Sequence, residues 1–97
     1  MKDFIFFLHD DAISPEDDTL WDAYFARLHA SGQFDGGSSI GSGGRYRKGG
    51  AGWLAALPLV GFLRIRAESL AEAETFLTGN PVYEAGGTVE IRELPRD

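Results

Sequence analysis

A helix has to end at Gly79-Asn80-Pro81 and a strand has to follow it, and this succession constrains the chain more than any other stretch. Glycine takes the left-handed conformation that terminates helices, and the proline ring pushes the preceding asparagine out of the helical region. Gly86-Gly87 then permits a sharp reversal, after which Thr88, Glu90 and Arg92 alternate with Val89 and Ile91. Period-two alternation marks a half-buried strand, oily on one face and wet on the other.

The preceding chain supplies partners for that strand. Asp3 to His9 is dense in aromatic and long apolar residues, which suits a central strand covered on both faces. Alternation puts Ile5, Phe7 and His9 on one face and Phe4, Phe6, Leu8 and Asp10 on the other, so the strand turns polar at its end. Ser14-Pro15-Glu16-Asp17 reads as a helix start: Ser14 as N-cap, Pro15 at the first helical position, and acids against the positive end of the dipole. Trp21, Tyr24, Phe25 and Leu28 recur at steps of three and four and form that helix's apolar stripe, and Gly32 stops it.

Gln33 to Lys48 specifies a strand only weakly, with Phe34 and Ile40 as its large apolar anchors. Nine of the thirteen glycines lie between Gly32 and Gly52, marking either a mobile hairpin or a place where backbone closely approaches something else. Within the apolar run Ala51 to Leu57, Trp53 and Leu54 are candidates for a lid or a subunit contact. Pro58 to Arg66 alternates again, Leu59, Gly61, Leu63 and Ile65 against Val60, Phe62, Arg64 and Arg66. Ser69 with Glu72 forms a capping box, and Leu70, Ala73, Phe76 and Leu77 make the stripe of a second helix.

The order is therefore βαββαβ, an α+β chain with a four-stranded antiparallel sheet. Two helices cover one face of such a sheet, so the opposite face is left to solvent, a ligand or a second subunit. With the helices on the Leu59, Leu63, Val89 and Ile91 side, the open side carries Val60, Phe62, Arg64, Thr88, Glu90 and Arg92. That mixture of apolar and charged residues suits a homodimer joined through its sheet faces around a polar cavity.

At 97 residues the chain is expected to form a single domain spanning 1–97. Nine Lys+Arg against fifteen Asp+Glu leave a net charge of -6, which repels polyanions, and no nucleic-acid partner is expected. The strands also lack the aromatic stacking motif of RNA-binding sheets. Without cysteine there is no disulfide framework, thiolate nucleophile or Cys-based metal site. No apolar run approaches the roughly 20 residues of a spanning helix, so no membrane partner is expected and a cytoplasmic location is the expectation.

Several stretches together resemble the YCII-related family, which includes a branch named for an Asp-Gly-Pro-Phe motif. They are His9-Asp10-Asp11, Gly36-Gly37-Ser38, Gly61-Phe62 before Ala67-Glu68-Ser69-Leu70, and Gly79 through Glu90, the most specific of them. The resemblance implies a ferredoxin-like fold that dimerises through its sheets as a dimeric α/β barrel, with a small-molecule or active site in a cleft. The chain departs from that pattern at two places. It has no Asp-Gly-Pro-Phe sequence, and where some members carry a histidine on the first helix it has Trp21 or Asp22.

Candidate chemistry is sparse. His9 is a candidate general base, since imidazole titrates near neutrality, and alternation along the strand makes Asp35 rather than Asp10 its candidate partner. A strand-end histidine with structural hydrogen bonds is the plainer alternative. Arg45 and Arg47, with Lys48, form a cationic run beside Tyr46 and Trp53 that suits a carboxylate or enolate of an aromatic substrate; a solvated hairpin tip is the alternative. Arg64 on the open face joins this substrate-binding set. Glu84 is a candidate acid, base or substrate ligand, or a carboxylate that accepts backbone N–H bonds and holds its loop. His29 is best explained by its place at the negative end of the first helix. Two histidines without metal-ligand spacing support no metal site, no phosphate-loop pattern is present, and no cofactor is expected. The functional expectation is a homodimeric small-molecule-binding protein, with lyase- or isomerase-type acid-base chemistry on a polar or aromatic compound. The alternative is a non-catalytic binding or accessory module.

Overall fold

The computed structural model describes residues 1–50, the backbone of 53–54, and residues 58–96. Strands β1 (Lys2–His9), β2 (Phe34–Ser39), β5 (Leu59–Ala67) and β6 (Val89–Leu94) form one sheet in the order β2-β5-β1-β6. All three neighbouring pairs are antiparallel. With α1 (Thr19–Ser31) after β1 and the helical segment α2 (Leu70–Glu74) after β5, this is the ferredoxin-like βαββαβ arrangement. The glycine-rich segment adds a short ribbon of β3 (Gly44–Arg45) against β4 (Trp53–Leu54). The expectation of a lid or contact made by the Trp53 and Leu54 side chains lies outside the described residues.

Alternation decides the core. Phe4, Phe6 and Leu8 of β1 and Leu63, Ile65 and Ala67 of β5 are buried, and they meet Tyr24 and Leu28 of α1 and Ala73 of α2. Full burial of a side chain such as Phe6 or Leu28 stabilises the fold by about 1.5 to 3 kcal/mol relative to exposure. The Tyr24 hydroxyl donates to the Phe76 carbonyl at 2.7 Å, tying α1 to the chain that follows α2. Burial pushes this phenol's pKa up, offset in part by the nearby Asn80 side chain and the charge of Arg27. Within the chain β1 is covered on one face, not both: Ile5, Phe7 and His9 stay half-buried because both helices lie on the other side.

Two boundaries differ from the sequence-based expectation. The first helix begins at Thr19 rather than beside Ser14, because Ser14 is engaged elsewhere: its N–H and hydroxyl both donate to the Ala85 carbonyl, at 3.2 and 3.1 Å. Asp18 takes the N-cap position without a side-chain cap bond, and Asp17 Oδ1 accepts from the N–H and hydroxyl of Thr19 at 3.0 and 2.6 Å. The second helix is broken up. Ser69 Oγ accepts from Glu72 N at 3.1 Å as expected, but α2 gives way to a 3-10 turn, Thr75–Leu77. The Glu72 carboxylate accepts from Gln33 Nε2 at 2.7 Å and Glu68 N at 3.4 Å rather than closing a reciprocal box. Leu70, expected in the buried stripe, is 49% exposed.

Gly79 does turn left-handed, with φ 86°, but the chain then winds into one further helical turn, α3 (Pro81–Glu84). Asn80 makes that turn possible. Its side chain is fully buried, and its Oδ1 accepts from Val82 N and Tyr83 N at 3.0 and 3.1 Å, with Pro81 at the first helical position.

Candidate functional site

The edge strand β2 opens a space beside α1. Gly36, at φ 91°, sits in an irregularity of register between Phe34 and Gly37, so β2 bends where it pairs with β5. Gly37 then lies so close to β5 that a Cβ there would collide with the Phe62 carbonyl and approach Leu63 Cα at 3.1 Å. On the helix side, Trp21 stacks on Phe25 with ring centroids 5.4 Å apart, and Phe25 meets Phe34 at 5.8 Å. Between these rings and the bent strand lies a cavity of about 450 Å³, within the usual 300–1,000 Å³ of small-molecule sites. Its walls are mainly Leu8, Trp21, Phe25, Phe34 and Leu63, and its polar groups come from Glu16, Ser38 and Ser39.

The candidate residues named from the sequence lie elsewhere. His9 Nε2 is buried without a hydrogen-bond partner and stands 3.5 Å from Glu90 Oε1, its carboxylate neighbour. Asp35 instead faces Arg64 at 3.7 Å. His9 pairs with Leu59 at one end of β5 while Asp35 is level with Arg64, a separation of about 16 Å at the rise of a strand. The structure therefore does not bring His9 and Asp35 together. Arg64 and Arg92 flank Ile5 on the open face, and Arg92 also reaches Glu90, at 3.1 Å. Glu84 Oε1 accepts from Gly79 N at 3.0 Å, the loop-holding alternative for that carboxylate, although the bond reaches Gly79 and not Gly86-Gly87. Arg45 and Arg47 are exposed on and just after β3, and the Trp53 side chain lies outside the described residues.

The open face has an apolar centre with charged flanks. Phe7 lies between Phe62 and Glu90, Ile5 between Arg64 and Arg92, and Asp3 between Arg66 and Leu94. Asp3 also bonds Arg96 Nε at 2.9 Å, and that hydrogen bond holds its carboxyl below the ordinary aspartate range.

The cavity was legible only in part. The Trp21–Phe25 stripe and Gly36-Gly37-Ser38 were visible as patterns, but nothing in the sequence joined them. Glu16, expected to serve a helix dipole, lies before the start of α1 and lines the cavity. No group of three or more His, Cys, Asp or Glu is arranged to hold a metal ion among the described residues, and no helix among them is long and apolar enough to cross a membrane.

No family model matches the sequence, and no curated protein matches it. Among solved structures, the chain is similar to 5-chloro-2-hydroxyhydroquinone dehydrochlorinase from Burkholderia phenoliruptrix AC1100, in complex with 2,5-dihydroxybenzoquinone. The two are 18% identical with a TM-score of 0.58, over 98% of this chain and 95% of that one. This likeness shows the fold.

Proposed function

We propose that this protein binds a small, oxygenated six-membered ring compound between α1 and the β2 edge of the sheet. The observation that carries the reading is the cavity itself: four aromatic residues, Trp21, Phe25, Phe34 and Phe62, line a space of ligand size whose polar side chains are those of Glu16, Ser38 and Ser39. Flat apolar walls with few polar groups suit a ring that is apolar on its faces and hydroxylated at its rim. The similar dehydrochlorinase is in complex with a compound of this class. Membership of the YCII-related family belongs to the same proposal, supported by the ferredoxin-like topology and the Gly79 to Glu90 motif.

The working unit in this reading is a homodimer. A sheet face centred on Ile5, Phe7 and Phe62 needs a cover, and a second copy offers the same apolar centre with mixed charges around it. His9, against Glu90, belongs to this face rather than to the cavity.

Binding ranks ahead of catalysis because Glu16 is the one ionisable group among the cavity's described lining, whereas acid-base turnover calls for a matched acid and base. Catalysis is the second reading, favoured by the likeness to a dehydrochlorinase, and its signature is chloride release from a chlorinated hydroquinone. The test of binding is an NMR titration of the amide spectrum with hydroquinone, hydroxyhydroquinone and a chlorophenol. Shifts should concentrate on Trp21, Phe25, Ser38 and Ser39. An unchanged spectrum, or shifts centred on His9, Glu90 and Arg92, overturns the reading.

A further inference from the structure

We infer that Glu16 is the specificity-determining residue of this cavity, selecting neutral rings that carry a hydroxyl donor and excluding anionic ones. The inference rests on the reading of the cavity as a ligand site and adds the chemical class of its ligand. Most carboxylates near the ends of the strands already have work to do. Asp11 holds Thr88, Asp17 holds Thr19, Glu84 holds Gly79, Asp35 faces Arg64, and Glu90 lies between His9 and Arg92. Glu16 has no hydrogen bond or ion pair among the described residues, yet it lines the cavity beside Trp21.

The other lining groups sharpen the selection. Ser38 Oγ donates to the Ser39 carbonyl at 2.9 Å, so the proton of that hydroxyl is already committed. No lysine, arginine or histidine lines the cavity among the described residues. Asp10 and Asp18 line, together with Glu16, a shallow depression on the neighbouring surface, which adds negative potential. An ionised carboxylate accepts hydrogen bonds and donates none. A phenolic hydroxyl therefore satisfies Glu16, an ether leaves it unpartnered, and a ring carboxylate meets like charge beside apolar walls. Selection of this kind works by rejecting the wrong ligand as well as holding the right one.

Calorimetric titration of the full chain with hydroquinone, hydroquinone dimethyl ether and benzoate tests the inference, with Glu16→Gln as the reporting variant. The wild-type protein should bind hydroquinone at least about tenfold more tightly than benzoate or the ether. Glu16→Gln keeps the side chain's size while removing its charge, and should narrow the hydroquinone-to-benzoate gap by at least about fivefold. Asp18→Asn should leave the gap within about twofold, since Asp18 does not line the cavity. A gap unchanged in Glu16→Gln, with hydroquinone still bound, overturns the role of Glu16 and leaves the cavity reading standing. An equal response from Asp18→Asn also overturns it, assigning selection to the diffuse field of the loop. Failure of the wild-type protein to bind any of the rings overturns the cavity reading and this inference together.

Discussion

Asp11 and Thr88 are joined at two atoms: Asp11 Oδ1 accepts from Thr88 N at 2.7 Å and Oδ2 from Thr88 Oγ1 at 2.6 Å. The pair ties the acidic loop after β1 to the residue just before β6, next to the main-chain bond from His9 N to Thr88 O at 3.0 Å. Thr88 holds the Asp11 carboxyl below the ordinary aspartate pKa of 3.8, first through its hydroxyl and then through its N–H.

A lowered folded-state pKa has a definite sign in the stability. The unfolded chain takes up the proton first, so the contribution of Asp11 is complete above its ordinary pKa and is lost as pH falls through the lowered folded value. Asp11→Asn keeps an acceptor for Thr88 N but removes the titration. Urea unfolding at about pH 6 and about pH 3 should show a smaller drop in midpoint for this variant than for wild type. Equal drops would remove Asp11 from the acid limb.

Asn80 anchors α3 from a fully buried position by accepting two backbone N–H bonds. Asn80→Ala leaves both donors unpaired and should lower stability by about 1 to 2 kcal/mol, with Asn80→Ser recovering part through its hydroxyl. Thermal melting of the three proteins measures this; an Asn80→Ala protein as stable as wild type would show that the cap is dispensable.

Gly37 and Gly41 make a matched comparison. A Cβ at Gly37 strikes the Phe62 carbonyl, a backbone atom that cannot swing aside, whereas nothing lies within 4 Å of one at Gly41. Gly37→Ala should therefore cost about 1 to 3 kcal/mol in denaturant unfolding. Gly41→Ala should stay within about 0.5 kcal/mol of wild type. Similar values for the two would mean that β2 shifts freely along its neighbour.

Phe7 stands at the centre of the open face, between Phe62 and Glu90, outside the cavity. The wild-type protein should sediment at twice the chain mass. Phe7→Lys, which sets a charge in the middle of the contact, should sediment as a folded single chain. A wild-type protein that stays single at high concentration removes the homodimer.

Local signals carried most of the fold into the sequence. The alternation in β5 and β6 named the buried and open faces correctly, with Leu63 covered and Arg64 exposed. By contrast β1, expected to be covered on both faces, buries only Phe4, Phe6 and Leu8 while Phe7 and His9 stay half-buried. The Trp21, Tyr24, Phe25 and Leu28 stripe and the Ser69 cap were likewise visible. The start of α1 was not, because Ser14 has a rival partner in Ala85, 71 residues away in the chain, and no local rule weighs a cap against that bond. The separation of His9 from Asp35 was hidden for the same reason. His9 and Asp35 share a face, but only the pairing of both strands with β5 shows them at different levels.

By itself, the order of residues determined which side chains each strand and helix turns inward, because burial periodicity is a property of the local backbone. Tertiary structure alone decided which of those elements meet. The irregularity at Gly36 lies in the edge strand beside α1, and only the meeting of that strand with the helix sets Trp21, Phe34 and Glu16 around one hollow. Cavities arise where packing is incomplete, a property shared among distant segments, and no stretch of chain carries it alone.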